Sequence, residues 1–188
     1  MTIATVNGTE ITREMLDAQL AQLSHNPNIP TPDKADADKY AQFEKMVAQQ
    51  LVNDELIFAA AKEKGYSVKD EDVQKEFDAI AAKFPDEETF AKQLEGMSLT
   101  KEGLKDTITR QRTIDQYYKE IFEGQDLEAT DEEAQKLYDE HLASKEGAPK
   151  FDEIKTQLKM ELGQGKMQQF LGTVIQKLRE GAEIDIKL

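Results

Sequence analysis

Apolar side chains recur at three- and four-residue spacing over most of this chain, and the longest such stretch runs from Tyr40 to Lys64. Phe43, Met46, Val47, Leu51, Ile57, Phe58 and Ala61 line one helical face there. Val52 and Leu56 fall off that stripe, and Ala48, Ala59 and Ala60 let neighbours come close, so the helix is expected to hold partners on more than one side. Neither proline nor glycine interrupts it, and Gly65 follows as a left-handed C-terminal cap.

The same reading extends in both directions. Ile3 to Ile11 alternate weakly around Asn7-Gly8, a pair that tolerates positive φ at both residues, which predicts a strand, a tight turn and a return to Thr12. Thr12 caps a helix through Leu23 with Met15, Leu16, Leu20 and Leu23 on its apolar face. His25 to Asp38 contains prolines 27, 30 and 32 and reads as an extended loop. Past Gly65, Asp70, Glu71 and Asp72 suit the positive end of a helix dipole, and Val73, Phe77, Ile80, Ala81 and Phe84 share a face of a helix to about Lys83. Pro85 ends it and starts a short helix bearing Phe90, Leu94 and Met97, stopped by Gly96, which makes a helical hairpin. Thr100 caps a helix to Phe122 in which Leu104, Ile108, Gln111, Ile114 or Asp115, and Tyr118 recur, and Gly124 closes it.

Thr130 and Glu133 form a capping box for a helix through about Ala143, with Ala134, Leu137, Tyr138 and Leu142 apolar. After a break from Ser144 to Pro149, a second long helix runs from about Phe151 to Arg179, marked by Ile154, Leu158, Leu162, Met167, Phe170, Leu171, Val174, Ile175 and Leu178. Gly163 and Gly165 should soften or bend it, at about 1 kcal/mol each relative to alanine. Ile184, Ile186 and Leu188 alternate with Asp185 and Lys187 as a strand with one buried face. Such a strand needs a partner, and only the N-terminus offers one, so the two chain ends are predicted to pair. The expected fold is mainly α, about seven helices with a small sheet joining the N- and C-terminal strands. Its expected organisation is a single core over 1–188, a helical part at 1–147 with the long helix and strand of 148–188 packing back on it.

Composition narrows the functions. Of 188 residues 38% are apolar and 33% charged, which leaves much of each helix facing water and suits an elongated or cleft-bearing shape. Twenty-four basic against 38 acidic residues give a net charge of −14, which repels a phosphate backbone and argues against nucleic acid. No apolar run reaches a membrane span and no basic n-region with an apolar core opens the chain, so a soluble protein is expected, compatible with a secreted form whose signal was removed. With no cysteine there are no disulfides, thiolate nucleophiles or sulfur-ligated metals, and an oxidising compartment is slightly favoured.

No catalytic constellation is legible. His25 and His141 lack the carboxylate three residues upstream that a Glu-x-x-His metal site needs. Asp36 and Asp38 begin like a calcium loop, but Tyr40 stands where an oxygen ligand belongs. Gly163-Gln164-Gly165-Lys166 is a fragment of a phosphate loop with Met160 and Met167 at positions that need glycine and serine or threonine. No metal and no cofactor are expected. Asp126 to Glu146 holds eight carboxylates against two lysines, a solvated helix face or a docking surface for basic clients. Methionines 46, 97, 160 and 167 fit an adaptable apolar groove; core filling is the plainer account of Met46, whereas Met97, beside Gly96 at the hairpin tip, fits either.

In order, IATVNGTEITREMLDAQL, LVNDELIFAAAKEKGYSVKDEDVQKEF, FPDEETFAKQLEGMSLTKEGLKDTI, TDEEAQKLYDEH and FDEIKTQLKMELGQGKMQQFLGTVIQKLREGAEIDIKL together resemble the non-catalytic core of SurA- and PrsA-type periplasmic or extracytoplasmic chaperones. The resemblance covers nearly the whole chain, and it lies in the order and spacing of motifs that are individually amphipathic helix. In that family a parvulin-type prolyl isomerase domain sits between the tyrosine helix and the last long helix. Here the interval is SKEGAP and its neighbours, with no histidine-bearing first strand and no glycine-rich later strands. The resemblance therefore implies the chaperone part without the isomerase, a periplasmic or extracytoplasmic location, and first and last strands that meet. Lys69 stands where the family usually has a serine or threonine cap, which moves the expected helix start to Asp70.

The resulting expectation is an ATP-independent chaperone, not an enzyme, holding unfolded or partly folded client polypeptides in an apolar cleft between the helical hairpin and the long terminal helices. The candidate cleft residues are Leu20, Leu23, Phe90, Leu94, Met97, Tyr117, Tyr118 and Phe122. The alternative is a structural or interaction module, a homodimer exchanging the N-terminal strand and helix across the proline-rich loop; a strict monomer in light scattering removes it. A prolyl isomerase is disfavoured by the missing segment.

Overall fold

The computed structural model describes residues 1–24, 26, 29–97, 99–143, 145 and 147–187. Expectations for His25, Pro27 and Leu188, and for Ser144 and Glu146 in the break, lie outside the described residues. Among those described, the elements run β1 (Thr2–Val6), β2 (Thr9–Thr12), α1 (Arg13–Ser24), α2 (Ala37–Glu63), α3 (Asp70–Ala81), α4 (Glu87–Gly96), α5 (Lys101–Phe122), α6 (Asp131–His141), α7 (Phe151–Glu180) and β3 (Ile184–Ile186). The chain is mainly α with one small antiparallel sheet, as the periodicity predicts. It divides into two compact units, Met1–Ile121 with Leu178–Leu188, and Phe122–Lys177.

In the first unit Asn7 and Gly8, both at positive φ, make the tight turn between β1 and β2. β3 pairs antiparallel with β1, Val6 opposite Ile184 and Ala4 opposite Ile186, so the sheet order is β2-β1-β3 and the chain ends meet. Asn7 also fastens the junction: its backbone N–H donates to the Glu183 carbonyl at 2.8 Å and its Oδ1 accepts from the Glu183 N–H at 2.9 Å. The β1–β2 register slips between Thr2 and Ala4, a bulge that buries Ile3 and Ala4 consecutively. That bulge is why the sequence alternation is weak. Ile186 departs from the expected buried face and is 41% exposed.

Ile3, Val6 and Ile11 of the sheet pack with Leu16 and Leu20 of α1 and Phe43, Val47, Val52 and Leu56 of α2 in one core, joined by Leu178, Ala182 and Ile184. Thr12 Oγ1 accepts from the Met15 N–H at 3.3 Å, and Arg13 clasps α1 to α2 through Glu44 at 2.6 Å while also meeting Asp17 at 2.8 Å. The hydrogen bond to Glu44 holds the Arg13 guanidinium above its ordinary pKa. Asp36 caps α2 by accepting from the Lys39 N–H, which starts the helix before the predicted Tyr40. At its other end Gly65, at φ +85°, donates to Lys62 and Tyr66 donates to Ala61, the paired hydrogen bonds of a left-handed cap. The predicted stripe on α2 needs correction: Val52 is fully buried, whereas Met46 is 56% exposed. The helix buries one side against the sheet and α1 and then, near its end, Ile57 and Ala61 on another, so no single stripe describes it.

Val73, Phe77, Phe90, Leu94 and Ile108 form a second core from α3, α4 and α5, with Phe90 edge-on to Phe77 at 5.6 Å. α3 starts at Asp70 with no side-chain cap from Lys69. Asp86 caps α4 through the Thr89 N–H at 2.7 Å, a bond that holds its carboxyl below the usual range. Gly96 does not stop α4 in a left-handed conformation; it is the last helical residue, and Met97 caps with its N–H on Gln93 and Leu94. On α5 the buried positions are Ile108, Thr113, Ile114 and Tyr117, not Gln111 or Tyr118. Thr113 is tolerated inside because its hydroxyl donates to the Thr109 carbonyl at 2.8 Å.

In the second unit the Thr130–Glu133 capping box is complete in both directions, at 3.2 and 2.8 Å. Tyr138 packs edge-on to Phe151 and donates its hydroxyl proton to the Pro149 carbonyl at 2.8 Å. α7 runs unbroken through Gly163 and Gly165. A Cβ on Gly163 would meet the Leu127 carbonyl at 3.4 Å, so this glycine serves close backbone approach.

Lys155 and Lys159 both reach Asp131, at 2.5 and 2.8 Å, and hold its carboxyl down to about 2. A carboxyl whose pKa is depressed by folding adds stability above its unfolded value, near 3.8, and loses it as pH falls toward about 2. Asp131→Asn should therefore melt below wild type at neutral pH, with the difference closing between pH about 4 and about 2; a pH-independent difference in thermal melts would contradict the assignment.

Candidate functional site

Among the described residues no three His, Cys, Asp or Glu side chains converge to hold a metal, and no helix is long and apolar enough to cross a membrane. The informative features are the distribution of apolar side chains between core and surface, and the charges around them.

The eight candidate residues separate. Leu20 is buried in the first core with Leu23 packed half-buried against it, while Phe90 and Leu94 come together in the second core. Tyr117 is buried beneath the Lys64 ammonium, 5.8 Å from its ring centre. Burial pushes the Tyr117 phenol up, and burial followed by the charges of Asp54 and Asp115 does the same to half-buried Tyr118. Phe122 is half-buried against Phe170 in the second unit, rings 5.6 Å apart. Met97 alone of the eight is exposed, at 39%. Leu20, Phe90, Leu94 and Tyr117 thus serve packing in this conformation.

The exposed large apolar side chains are Met1, Met15, Met46, Met97, Met160, Met167 and Ile186. All six methionines of the chain are in that group, at 39–86% exposure, and among the described residues no leucine, valine or phenylalanine joins them. An unbranched thioether repacks readily around irregular partners, which makes methionine the apolar residue suited to an adaptable surface. Met160 and Met167 stand two turns apart on one face of α7, about 10 Å along the axis. Only Leu158 of this helix is buried, and Leu162, Phe170, Leu171, Val174 and Ile175 are half-buried. Sequence reasoning placed Met15 on the apolar face of α1; the i, i+4, i+7 set Leu16, Leu20, Leu23 was the signal that it lies beside that face.

Two grooves open on the first unit. One, about 320 Å³, lies where α4 turns into α5, between Ala91, Leu94, Glu95, Leu99, Thr100 and Lys101. The other, about 340 Å³, runs along α3 and α5 between Val68, Asp72, Glu76, Arg112, Asp115, Gln116 and Lys119. Charged and polar residues line most of the second, and Arg112 is already engaged there by Glu76 at 2.6 and 2.8 Å and by Asp115 at 3.2 Å.

A polar seam crosses α2 in the same unit. The buried Glu55 carboxylate meets Arg110 of α5 at 2.7 Å, and that guanidinium lies 4.4 Å over the Phe58 ring. Burial raises the pKa of neighbouring Asp54 against the opposing pull of Gln50 and Arg110. Arg179 reaches the Asn53 Oδ1 at 2.8 and 3.1 Å. At the C-terminal end of α2, Lys64 and the Tyr66 hydroxyl both hydrogen-bond Glu120, which holds that carboxylate below its usual range.

A family model described as the SurA-like N-terminal domain matches residues 1–118. Among curated proteins, the Foldase protein PrsA of Clostridium botulinum strain Hall is 30% identical over 152 residues, covering 74% of this chain and 45% of the relative. The Foldase protein PrsA of Clostridium perfringens strain 13 is 33% identical over 149 residues, covering 74% and 42%. The chain spans less than half the length of these relatives.

Proposed function

Since this chain belongs to the SurA-like N-terminal domain family, we propose that it is an ATP-independent chaperone that holds unfolded or partly folded polypeptides through exposed apolar side chains. In this reading it works outside the cytoplasm and carries no prolyl isomerase activity; α6 and α7, between which the resemblance would place that domain, are joined by residues 142–150. Similarity to proteins called foldases supports a role in protein folding.

The observation that carries the proposal is the exposure of the methionines. Residues that present thioethers to water while the described leucines, valines and phenylalanines are withdrawn offer many weak contacts that adapt to a varied client. In the first unit a client can reach Met97, half-buried Leu23 and Tyr118, and the part of Leu94 that lines the groove after α4, and in the second half-buried Phe122; Leu20, Phe90 and Tyr117 would take part only if their clusters open. The −14 net charge keeps a loaded complex soluble.

Light scattering of a chemically denatured model enzyme diluted into the protein, without nucleotide, tests this. Suppressed aggregation is expected, and proline-peptide isomerisation should stay at the uncatalysed rate. No protection at stoichiometric excess would overturn the chaperone reading, and catalysed isomerisation would overturn its non-enzymatic part.

A further inference from the structure

We propose that the groove between the end of α4 and the start of α5 is an anchor site for client segments in which a large apolar side chain stands next to a lysine or arginine. This rests on the chaperone reading and names the chemistry the site selects. The groove is preformed: Leu94 is fixed in the second core, the Leu99 N–H donates to the Leu94 carbonyl at 2.9 Å, and the Gly103 N–H donates to the Thr100 hydroxyl oxygen at 2.9 Å. Leu94, Leu99 and Ala91 supply its apolar lining, and the small, exposed Ala91 leaves the space open. About 320 Å³ is at the small end of ligand-sized cavities, room for one large side chain and part of its neighbour.

The rim decides the charge of the guest. Lys101 is engaged by Glu87 at 2.5 Å, and Lys92, one residue after Ala91, by Glu88 at 2.6 Å. Glu95, also on the rim, has no ion-pair partner among the described residues. A client cation beside the anchor residue meets that carboxylate in a field already negative, whereas a client carboxylate is repelled.

The test uses the full chain and short labelled Gly/Ser-rich peptides carrying Phe-Lys, Phe-Glu or Ala-Lys, with binding followed by fluorescence anisotropy. Phe-Lys should bind tightest, and Ala91→Phe, which fills the groove from its exposed side, should weaken it about tenfold. Glu95→Lys should shift preference from Phe-Lys toward Phe-Glu, with the difference shrinking in salt. If the wild type protects a denatured enzyme but binds Ala-Lys as tightly as Phe-Lys, or if both variants bind Phe-Lys unchanged, the groove proposal falls and the chaperone reading stands. If the wild type neither protects nor binds any peptide, both fall together.

Discussion

Arg110→Ala is expected to lower the unfolding free energy by about 3 kcal/mol, because it strands the Glu55 carboxylate inside the first unit. Glu55 has 7% side-chain exposure and Arg110 has 30%, so water reaches the guanidinium from one side and the loss belongs at the lower end for a broken buried pair. Removing both charges, as Glu55→Leu with Arg110→Met, should recover most of that loss, since two apolar side chains avoid the desolvation that the ion pair must overcome. Part of the single variant's loss also runs through Asp54, whose carboxyl burial already raises and which Arg110 pulls back down. A carboxyl whose pKa rises on folding costs stability as pH climbs past its unfolded value. The Arg110→Ala deficit should therefore be larger at neutral pH than in acid. Urea unfolding followed by far-ultraviolet circular dichroism measures all three outcomes, and a single variant within about 0.5 kcal/mol of wild type would show that this pair does not hold α2 to α5.

Where local rules and long-range packing agree, the sequence is a sufficient guide. Asn7-Gly8, Gly65, the Thr130–Glu133 box and the Asp70 start are set by backbone chemistry within a few residues, and each stands as read. Pairing of the chain ends was legible because a lone strand has few ways to satisfy its backbone groups. Misreadings arise where one helix serves several neighbours. α2 changes its buried side along its length, so counting along one stripe puts Met46 inward and Val52 outside it. On α5 the counting favoured apolar letters, but Thr113 hides its hydroxyl by bonding one turn back and enters the interior. The candidate site suffers from the same ambiguity: a phenylalanine on an amphipathic helix looks identical whether it packs against its own chain or a foreign one. Phe90 resolves into core only because Phe77 and Phe84 stand at 5.6 and 5.2 Å from it, contacts that bring α3 and the segment after it onto α4. No spacing along α4 encodes them.

Replacing Met15, Met46, Met97, Met160 and Met167 together with glutamine is expected to remove most aggregation protection while the unfolding midpoint moves little. Each side chain is at least 39% exposed, so the fold draws little from it, and the summed stability change should stay within about 2 kcal/mol. In the proposed reading clients, by contrast, draw on these side chains in each unit. If covering each thioether contributes about 0.5–1 kcal/mol, losing five weakens holding by roughly a hundredfold or more, since 1.4 kcal/mol is tenfold in affinity. Leucine at the same five positions separates apolar area from adaptability, because it preserves the area but restricts the rotamers. That variant should still protect some clients, over a narrower range than methionine, whereas the glutamine variant should protect few. Light scattering across several unrelated denatured enzymes, paired with thermal melts of each variant, gives the comparison. A glutamine variant that melts like wild type and protects equally well would move client binding off this surface, leaving the hairpin groove to be tested by itself.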